Sequence, residues 1–328
     1  MRLLVLGGTL FLGRHLVGAA LARGHEVTTF TRGRTNPHLF PQVEALHGDR
    51  ESDVSALRER RWDVVVDTSA YLPRQVEDAA LALSQGVDRY CLISSASVYT
   101  GFPRERVSES SATHAPLDDP AAVVRVETYG PLKVACEQVA LRTFRGAAFI
   151  VRPGLLAGPS DPTDRLAYWT KRVAEGGEVL DPGDPAHPVQ LLDARDLAAW
   201  IVERLEHGQT GIFNVAGTPL SMESLLRTCR DRAGSDATFR WAPDAFLLGH
   251  GMRPSADIPL WLPAEAPGTI DDRAARALAL HGRPFAETVR DLLADVVAAT
   301  STTLGPARPT AISREREQEL LSLLRKTP

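Results

Sequence analysis

The segment that most restricts what this chain can become is its start. Residues 2–6 form a nearly continuous apolar run that breaks at Gly7-Gly8-Thr9 and passes into Leu10-Phe11-Leu12-Gly13. Phe11, Leu12, His15, Leu16 and Ala19 then recur near helical spacing, so residues 11–23 are predicted to form a helix. A run of four to five apolar residues is too short for a signal-peptide core or a membrane span, and it suits a buried strand. A strand that turns through glycines into a helix lets the backbone come close to a polyanion, and the helix N-terminus offers free N–H groups and a positive dipole end. Gly7 and Gly13 stand six apart, as in Gly-x-x-Gly-x-x-Gly, with Leu10 in the place of the middle glycine. The corner is read as a cradle for the pyrophosphate of a dinucleotide, lined by Gly7, Thr9, Leu10, Phe11, Leu12 and Gly13. A plain strand–turn–helix corner is the alternative on the glycines alone.

Strand-like and helix-like segments alternate through the first half. Strands are predicted at 26–31, 43–47, 64–66, 90–94 and 148–151, and helices at about 52–60, 73–85 and 130–144. Such alternation implies right-handed crossovers and a doubly wound parallel sheet, an α/β fold of Rossmann type. Residues 1–155 are read as the dinucleotide-binding domain, completed by about 189–216 with a strand at 189–192, a helix at 193–206 and a strand at 212–215. Residues 156–188 and 217–300 are read as a smaller C-terminal substrate-binding domain, with helices at 221–233 and 285–299 and no clear period over 240–270. The Thr/Pro/Gly-rich 300–310 stretch reads as a linker before an amphipathic helix at 313–326.

The end of the second strand decides which dinucleotide fits. NAD sites usually place a carboxylate there for the ribose hydroxyls. Here the segment is Phe30-Thr31-Arg32-Gly33-Arg34, without an acid. A guanidinium grips a 2′-phosphate through two parallel hydrogen bonds, each charge-assisted contact contributing about 1.5–3 kcal/mol. The cofactor expected is therefore NADP(H) rather than NAD(H), with Arg32 the main contact and Arg34 a second. Asp49, with Arg50 beside it, is a candidate contact for the adenine amino group, and a simple turn aspartate is the alternative reading.

Tyr129-Gly130-Pro131-Leu132-Lys133 places a phenol and an ammonium four residues apart, on one face of a helix. Pro131 is tolerable if it falls in the first turn. Upstream, Ser94-Ser95-Ala96-Ser97-Val98-Tyr99 follows an apolar strand and delivers hydroxyls to the carboxyl edge of a parallel sheet. Moving a hydride to or from a carbinol carbon requires a proton to move on its oxygen. A phenol does this when its pKa falls from about 10 toward neutrality, a shift of about 3 units that needs about 4 kcal/mol. A nearby ammonium and a nicotinium charge are plausible sources.

At this point the sequence resembles the extended short-chain dehydrogenase/reductase family, which holds nucleotide-sugar epimerases, dehydratases and reductases. The resemblance covers about residues 1–300 and rests on Gly7-Gly8-Thr9 through Gly13, Ser94 through Tyr99, Tyr129-x-x-x-Lys133, Arg152-Pro153-Gly154 and Gly211-Ile212-Phe213-Asn214. It implies Ser95, Tyr129 and Lys133 as catalytic residues, with Lys133 also holding the nicotinamide ribose. It also implies that Thr68-Ser69-Ala70 lines the cofactor and that Pro153 passes beside the nicotinamide. Two departures narrow the reaction. Ser95-Ala96-Ser97 lacks the adjacent Asp-Glu of the family's dehydratases, and Ser97 stands where fucose-type epimerase/reductases carry a cysteine. The Gly-Gly-Thr-x-Phe-x-Gly version also looks like a plastid branch proposed to bind RNA.

Substrate contacts are expected from Ser97, Tyr99, Arg165, Trp169 and Arg195, with Tyr168 beside Trp169 as a stacking surface. Trp169 as core, and Asp161 and Thr163 as helix N-caps, are the competing readings. Composition narrows the partners. A hydrophobic content of 44%, a charged content of 24% and a net charge of -4 suit a globular protein without a global basic field for nucleic acid or anionic membrane. The three cysteines form no Cys-x-x-Cys pair and the nine histidines show no ligand spacing, so buried thiols, no metal and a cytoplasmic setting are expected. The expected partner is a small-molecule substrate, with neither nucleic acid nor membrane, and a homodimer is one option for the assembly. The reaction expected is NADP(H)-dependent hydride transfer on a polar metabolite such as a sugar nucleotide. Epimerisation with a retained NAD(P), and a non-catalytic or RNA-associated role, are the alternatives.

Overall fold

The computed structural model describes residues 1–83, 86–119, 121–263, 265, 268–298 and 311–326. Its strands are β1 (Arg2–Leu6), β2 (Glu26–Thr31), β3 (Glu44–His47), β4 (Trp62–Asp67), β5 (Val87–Ile93), β6 (Ala148–Pro153), β7 (Leu155–Ala157), β8 (Glu178–Pro182), β9 (Pro188–Val189), β10 (Leu191–Asp193), β11 (Gly211–Val215), β12 (Leu220–Ser221) and β13 (Thr238–Ala242). Its helices are α1 (Phe11–Ala22), α2 (Pro73–Leu83), α3 (Val126–Thr143), α4 (Arg165–Ala174), α5 (Ala194–Glu206), α6 (Met222–Ala233), α7 (Asp244–Gly249), α8 (Arg273–Ala277), α9 (Phe285–Ala298) and α10 (Arg314–Leu324).

Among the described residues, seven strands form one sheet in the order β3-β2-β1-β4-β5-β6-β11, and every pairing in it is parallel. The doubly wound α/β fold expected from the alternation is what forms. The strand order reverses between β1 and β4, so the connections after them leave in opposite directions and open a crevice at the carboxyl edge, where ligands bind in such folds.

Strand alternation sorts the core. Leu3, Val5, Val64, Val66, Cys91 and Ile93 face α1 and α5, while Leu4, Leu6, Val65, Tyr90 and Leu92 face α2 and α3. Both faces are covered, which is why these strands read as continuous apolar runs and not as alternating ones. A separate core gathers Leu166, Trp169 and Val173 of α4, Leu225, Leu226 and Cys229 of α6, Val289 and Leu292 of α9, and Leu320 and Leu321 of α10.

Three expectations shift. The charged stretch 52–60 holds only a 3-10 turn, Ser55–Leu57. The Asp53 carboxylate accepts from the Ser55 N–H at 2.9 Å, and this local bond competes with a helix. The 189–192 strand divides into β9 and β10. The helix that carries Tyr129 and Lys133 begins at Val126, not near 130, because Thr128 Oγ1 accepts the Arg125 N–H at 2.9 Å and fixes an earlier start. The predicted 300–310 linker lies outside the described residues.

The last helix is held by charge. The Arg172 guanidinium in α4 donates through Nε to both Glu317 carboxylate oxygens at 2.9 and 2.8 Å, and the Leu180 N–H donates to Glu317 at 3.0 Å. Asp181 lies fully buried beside that pair. Burial, then the Glu317 carboxylate, pushes the Asp181 carboxyl well above the usual carboxylate range, with the Arg240 backbone and Arg172 offsetting only part. The folded state therefore keeps this proton to higher pH than the unfolded chain, whose pKa is about 3.9. Stability then declines as pH rises from the unfolded pKa through the folded pKa. Asp181→Asn should flatten the fall of Tm as pH rises above the unfolded carboxyl pKa of about 3.9. Parallel thermal-melt profiles for variant and wild type would refute this.

Candidate active site

Three segments meet at the carboxyl edge. The first is the glycine corner. Gly7 sits at φ +98, where a Cβ would lie 2.5 Å from Thr68 Oγ1, and a Cβ on Gly13 would lie 2.8 Å from Gly7 O. Both positions need glycine because the corner folds tightly against itself and against Thr68-Ser69. α1 opens at Leu10, which supplies no capping side chain, and the first turn carries no acid. Its N–H groups thus lack a side-chain partner, as a phosphate site requires. The left-handed conformation falls on Phe11, at φ +33. A bulky residue there stores of order 1 kcal/mol or more of backbone strain.

At the end of β2, Arg32 and Arg34 are exposed and form no ion pair with a described residue, while Asn36 Nδ2 holds Thr9 O at 2.9 Å. An uncapped helix start, a glycine turn and two unpaired guanidinium groups on one edge fit an extended anionic dinucleotide. Asp49 spends its carboxylate on its own turn, accepting the Glu51 N–H at 3.0 Å, so the turn reading describes its contact.

The second segment follows β5. Ser95 is extended, at φ -164, and accepts the Ser97 N–H at 3.1 Å. The third is α3, which brings the Tyr129 phenol close enough to the Ser95 hydroxyl for that hydroxyl to act on it. Gly130 makes this approach feasible, since a Cβ there would lie 2.2 Å from Ser97 O. Burial pushes the Tyr129 phenol above its ordinary value, with the Ser95 hydrogen bond and the Arg165 guanidinium acting against it. Lys133 is buried one turn on, and its Nζ donates to Ala70 O at 2.8 Å and Ile93 O at 2.7 Å. The ammonium thus ties α3 to the ends of β4 and β5. Burial therefore moves the phenol's pKa away from neutrality, against the fall expected from the sequence, and the influences that lower it are Ser95 and Arg165 rather than an ammonium. Tyr71 completes this surface, its ring centroid 6.4 Å from that of Tyr129 and 5.5 Å from Lys133 Nζ.

Two buried charge pairs lie beneath. Arg50 NH1 and NH2 each donate to Asp67 at 2.8 Å, and the Tyr90 hydroxyl donates to the same carboxylate. Burial would raise the Asp67 carboxyl, and Arg50 outweighs it, leaving the pKa lowered. Arg152 donates to Glu137 through Nε at 2.9 Å and to the Tyr99 hydroxyl at 2.8 Å, and Tyr99 donates to Asn214 at 2.7 Å.

Several predicted contacts are thereby corrected. Arg50 faces Asp67 and Gln75 O, inside the fold. Tyr99 is fully buried between Arg152 and Asn214. Trp169 is 0% exposed and donates its indole N–H to Pro259 O at 2.7 Å, so it is core. Arg195 is held by Asp193 and Asp291 at the start of α5. Asp161 and Thr163 bond to each other, and neither caps α4, whose N-cap is Asp164. Pro131 lies beyond the first turn of α3, with its carbonyl accepting the Leu117 N–H at 3.1 Å. Ser97 and Arg165 remain near Ser95 and Tyr129, while Thr68, Ser69, Ala70 and Pro153 lie at the strand ends.

Sequence reasoning passed over Tyr71 and Glu137 and gave Ser94 no role of its own. The spacing Tyr129, Lys133, Glu137 repeats every four residues and would have placed Glu137 next to Lys133 on the inward side of the helix. Among the described residues no group of three His, Cys, Asp or Glu could hold a metal, and no helix is long and apolar enough to cross a membrane. The three cysteines are buried and free.

Gly130→Ala tests the close approach. Helix propensity alone favours alanine by about 1 kcal/mol, whereas overpacking costs about 1–3 kcal/mol. The obstacle is a backbone oxygen that cannot turn aside, so net destabilisation is expected in urea titrations. A stabilised variant would contradict this geometry.

Comparison with known proteins adds to this. A family model described as "NAD dependent epimerase/dehydratase family" matches residues 3–216. The chain is 24% identical over 258 residues to the chloroplast stem-loop binding protein of 41 kDa b of Arabidopsis thaliana, covering 71% of this chain and 63% of that protein. It is 28% identical over 218 residues to 2'-dehydrokanamycin reductase of Streptomyces kanamyceticus, covering 62% and 58%. The matches thus span about three-fifths of these relatives' lengths. The fold is shared with UDP-glucuronic acid 4-epimerase of Bacillus cereus in complex with NAD, at TM-score 0.69 and 17% identity over 93% of this chain and 100% of that one. It is also shared with UDP-glucose 4-epimerase of Thermotoga maritima with UDP-glucose, at TM-score 0.67 and 17% identity over 92% and 100%.

Proposed function

Because the chain belongs to the NAD dependent epimerase/dehydratase family, we propose that it is an NADP(H)-dependent oxidoreductase acting on a carbonyl or carbinol of a polar metabolite, with a sugar nucleotide as one candidate. The observation that carries this reading is the contact of the Tyr129 phenol with Ser95, one helical turn from Lys133.

The bound dinucleotide supplies a hydride equivalent at its nicotinamide ring. The Ser95 hydroxyl holds the substrate oxygen, and Tyr129 donates a proton to it. Burial keeps the phenol protonated, as the acid in carbonyl reduction must be before it transfers its proton. Arg165, close enough to act on Tyr129, would stabilise the phenolate left behind. Lys133 fixes α3 at the strand ends, and holding the nicotinamide ribose would be its second role. The N–H groups of α1 and the unpaired Arg32 and Arg34 support a dinucleotide that carries a 2′-phosphate.

Epimerisation, in which the dinucleotide is retained, is favoured by the family description and by the epimerases that share the fold. It would use the same Ser95, Tyr129 and Lys133, and it differs in leaving no net change in the dinucleotide's near-ultraviolet absorbance. The stem-loop-binding name of the plant relative raises a third role, against which stand the net charge of -4 and the assembled Ser95, Tyr129 and Lys133.

Two outcomes test the proposal. NADPH should bind about ten- to a hundredfold tighter than NADH, and Arg32→Ala should bring the two to within a few-fold in fluorescence titrations. Equal affinities in the wild type would remove the preference. Tyr129→Phe should keep NADPH binding and lose turnover by about a hundredfold or more. Turnover within about tenfold of wild type would exclude Tyr129 as the acid.

A further inference from the structure

Beneath the site runs a closed set of buried hydrogen bonds that the reaction itself does not use. Ser94, the residue before Ser95, donates its hydroxyl to Glu137 Oε1 at 2.5 Å. Glu137 takes Nε of Arg152 on the same oxygen at 2.9 Å and NH2 of Arg152 on the other at 2.5 Å. Arg152 also reaches the Tyr99 hydroxyl, on the far side of the Ser95–Ser97 turn. Ser94, Glu137 and Arg152 are each at most 5% exposed. The set joins the residue after β5, α3 and β6.

Its placement gives it a lever on the site. Successive side chains of an extended segment point to opposite sides, so a Ser94 hydroxyl held inward by Glu137 sends the Ser95 hydroxyl outward into the cleft. Tyr129, Lys133 and Glu137 follow at four-residue steps along α3, which puts Glu137 about 12 Å from Tyr129 along the axis, on adjoining helix faces. One carboxylate thereby sets the register of α3 and the orientation of the strand end that α3 must meet. We propose that Glu137 is a positioning residue that, through Ser94 and Arg152, determines where Tyr129 and Ser95 meet. The claim deepens the oxidoreductase reading, since it concerns the same acid.

The test needs no substrate. The five tyrosines of the full chain are replaced by 3,5-difluorotyrosine, whose more acidic phenol titrates while the protein is folded. The Tyr129 fluorine resonance is assigned by its loss in Tyr129→Phe, and its titration is followed in the presence of NADP. The groups facing this phenol are Ser95 from the β5 turn, Cys136 and Lys133 from α3, Arg165 from α4 and Tyr71 from the segment before α2. None is altered in Ser94→Ala, which also leaves the Glu137–Arg152 pair intact and so avoids a buried unpaired charge. If Ser94 positions Ser95, its loss weakens the Ser95–Tyr129 bond. The Tyr129 midpoint should then rise by about half to one pH unit, a three- to tenfold gain in proton affinity. Ser94→Thr should restore the midpoint, and NADPH affinity should stay within twofold of wild type. Glu137→Gln is the second variant and should shift the midpoint in the same direction. An unmoved midpoint in both Ser94→Ala and Glu137→Gln overturns the proposal, as does a shift accompanied by equal loss of NADPH binding, which would mark general loosening. A shifted midpoint together with full turnover in Tyr129→Phe would leave the positioning role standing and remove the reaction assignment.

Discussion

Buried charge at the carboxyl edge of the parallel sheet is the constraint on which the rest of this structure depends. Arg50–Asp67 and Arg152–Glu137 are taken out of water, and ions in that position cost several kcal/mol each unless they are paired and hydrogen-bonded. Both pairs meet the condition. Asp67 receives Arg50, the Tyr90 hydroxyl and the Ser69 N–H, and Glu137 receives Arg152 and Ser94. Because each ion takes partners from different strands and helices, the strand ends and the first helices are set relative to one another to within hydrogen-bond tolerance. An apolar core of the same volume would hold the layers together without fixing where Ser95, Tyr129 and Ser69 stand.

The surface above these pairs is made of smaller devices. Glycine at 7, 13 and 130 removes the Cβ atoms that would push the corner and α3 away from their neighbours. The Lys133 ammonium is spent on two carbonyls at the ends of β4 and β5, so it acts in this state as a pin between helix and sheet. The phenol of Tyr129 is left beside Ser95 and Arg165, in surroundings that favour its protonated form. The proposed proton donation would draw directly on this distribution, since the acid must be protonated, oriented and within reach of the oxygen that accepts from it.

Among the site residues, those that were legible in the sequence share a property: each is tied to a local pattern. The glycine corner is a strand–turn–helix boundary, Ser95 follows an apolar strand, and Tyr129 and Lys133 keep a helical interval. Residues read by chemical type alone went elsewhere. Trp169 and Tyr99 look like substrate contacts and are core, while Arg50 and Arg195 look like cofactor and substrate contacts and are ion-paired. An arginine or an aromatic ring carries no local sign of whether it will face a ligand or a partner far away in the chain.

The sequence by itself determined the α/β alternation, the burial of both sheet faces and the order of the chemistry along the chain, because these depend on periodicity and turn residues over short range. Tertiary structure alone decided which charges pair. It turned Lys133 toward Ala70 and Ile93, brought Arg165 near Tyr129, and placed Glu137 under Ser94. Those contacts join residues 36 to 63 positions apart. Nothing in a local window records such meetings, since they exist only once the sheet has drawn its strand ends to one edge.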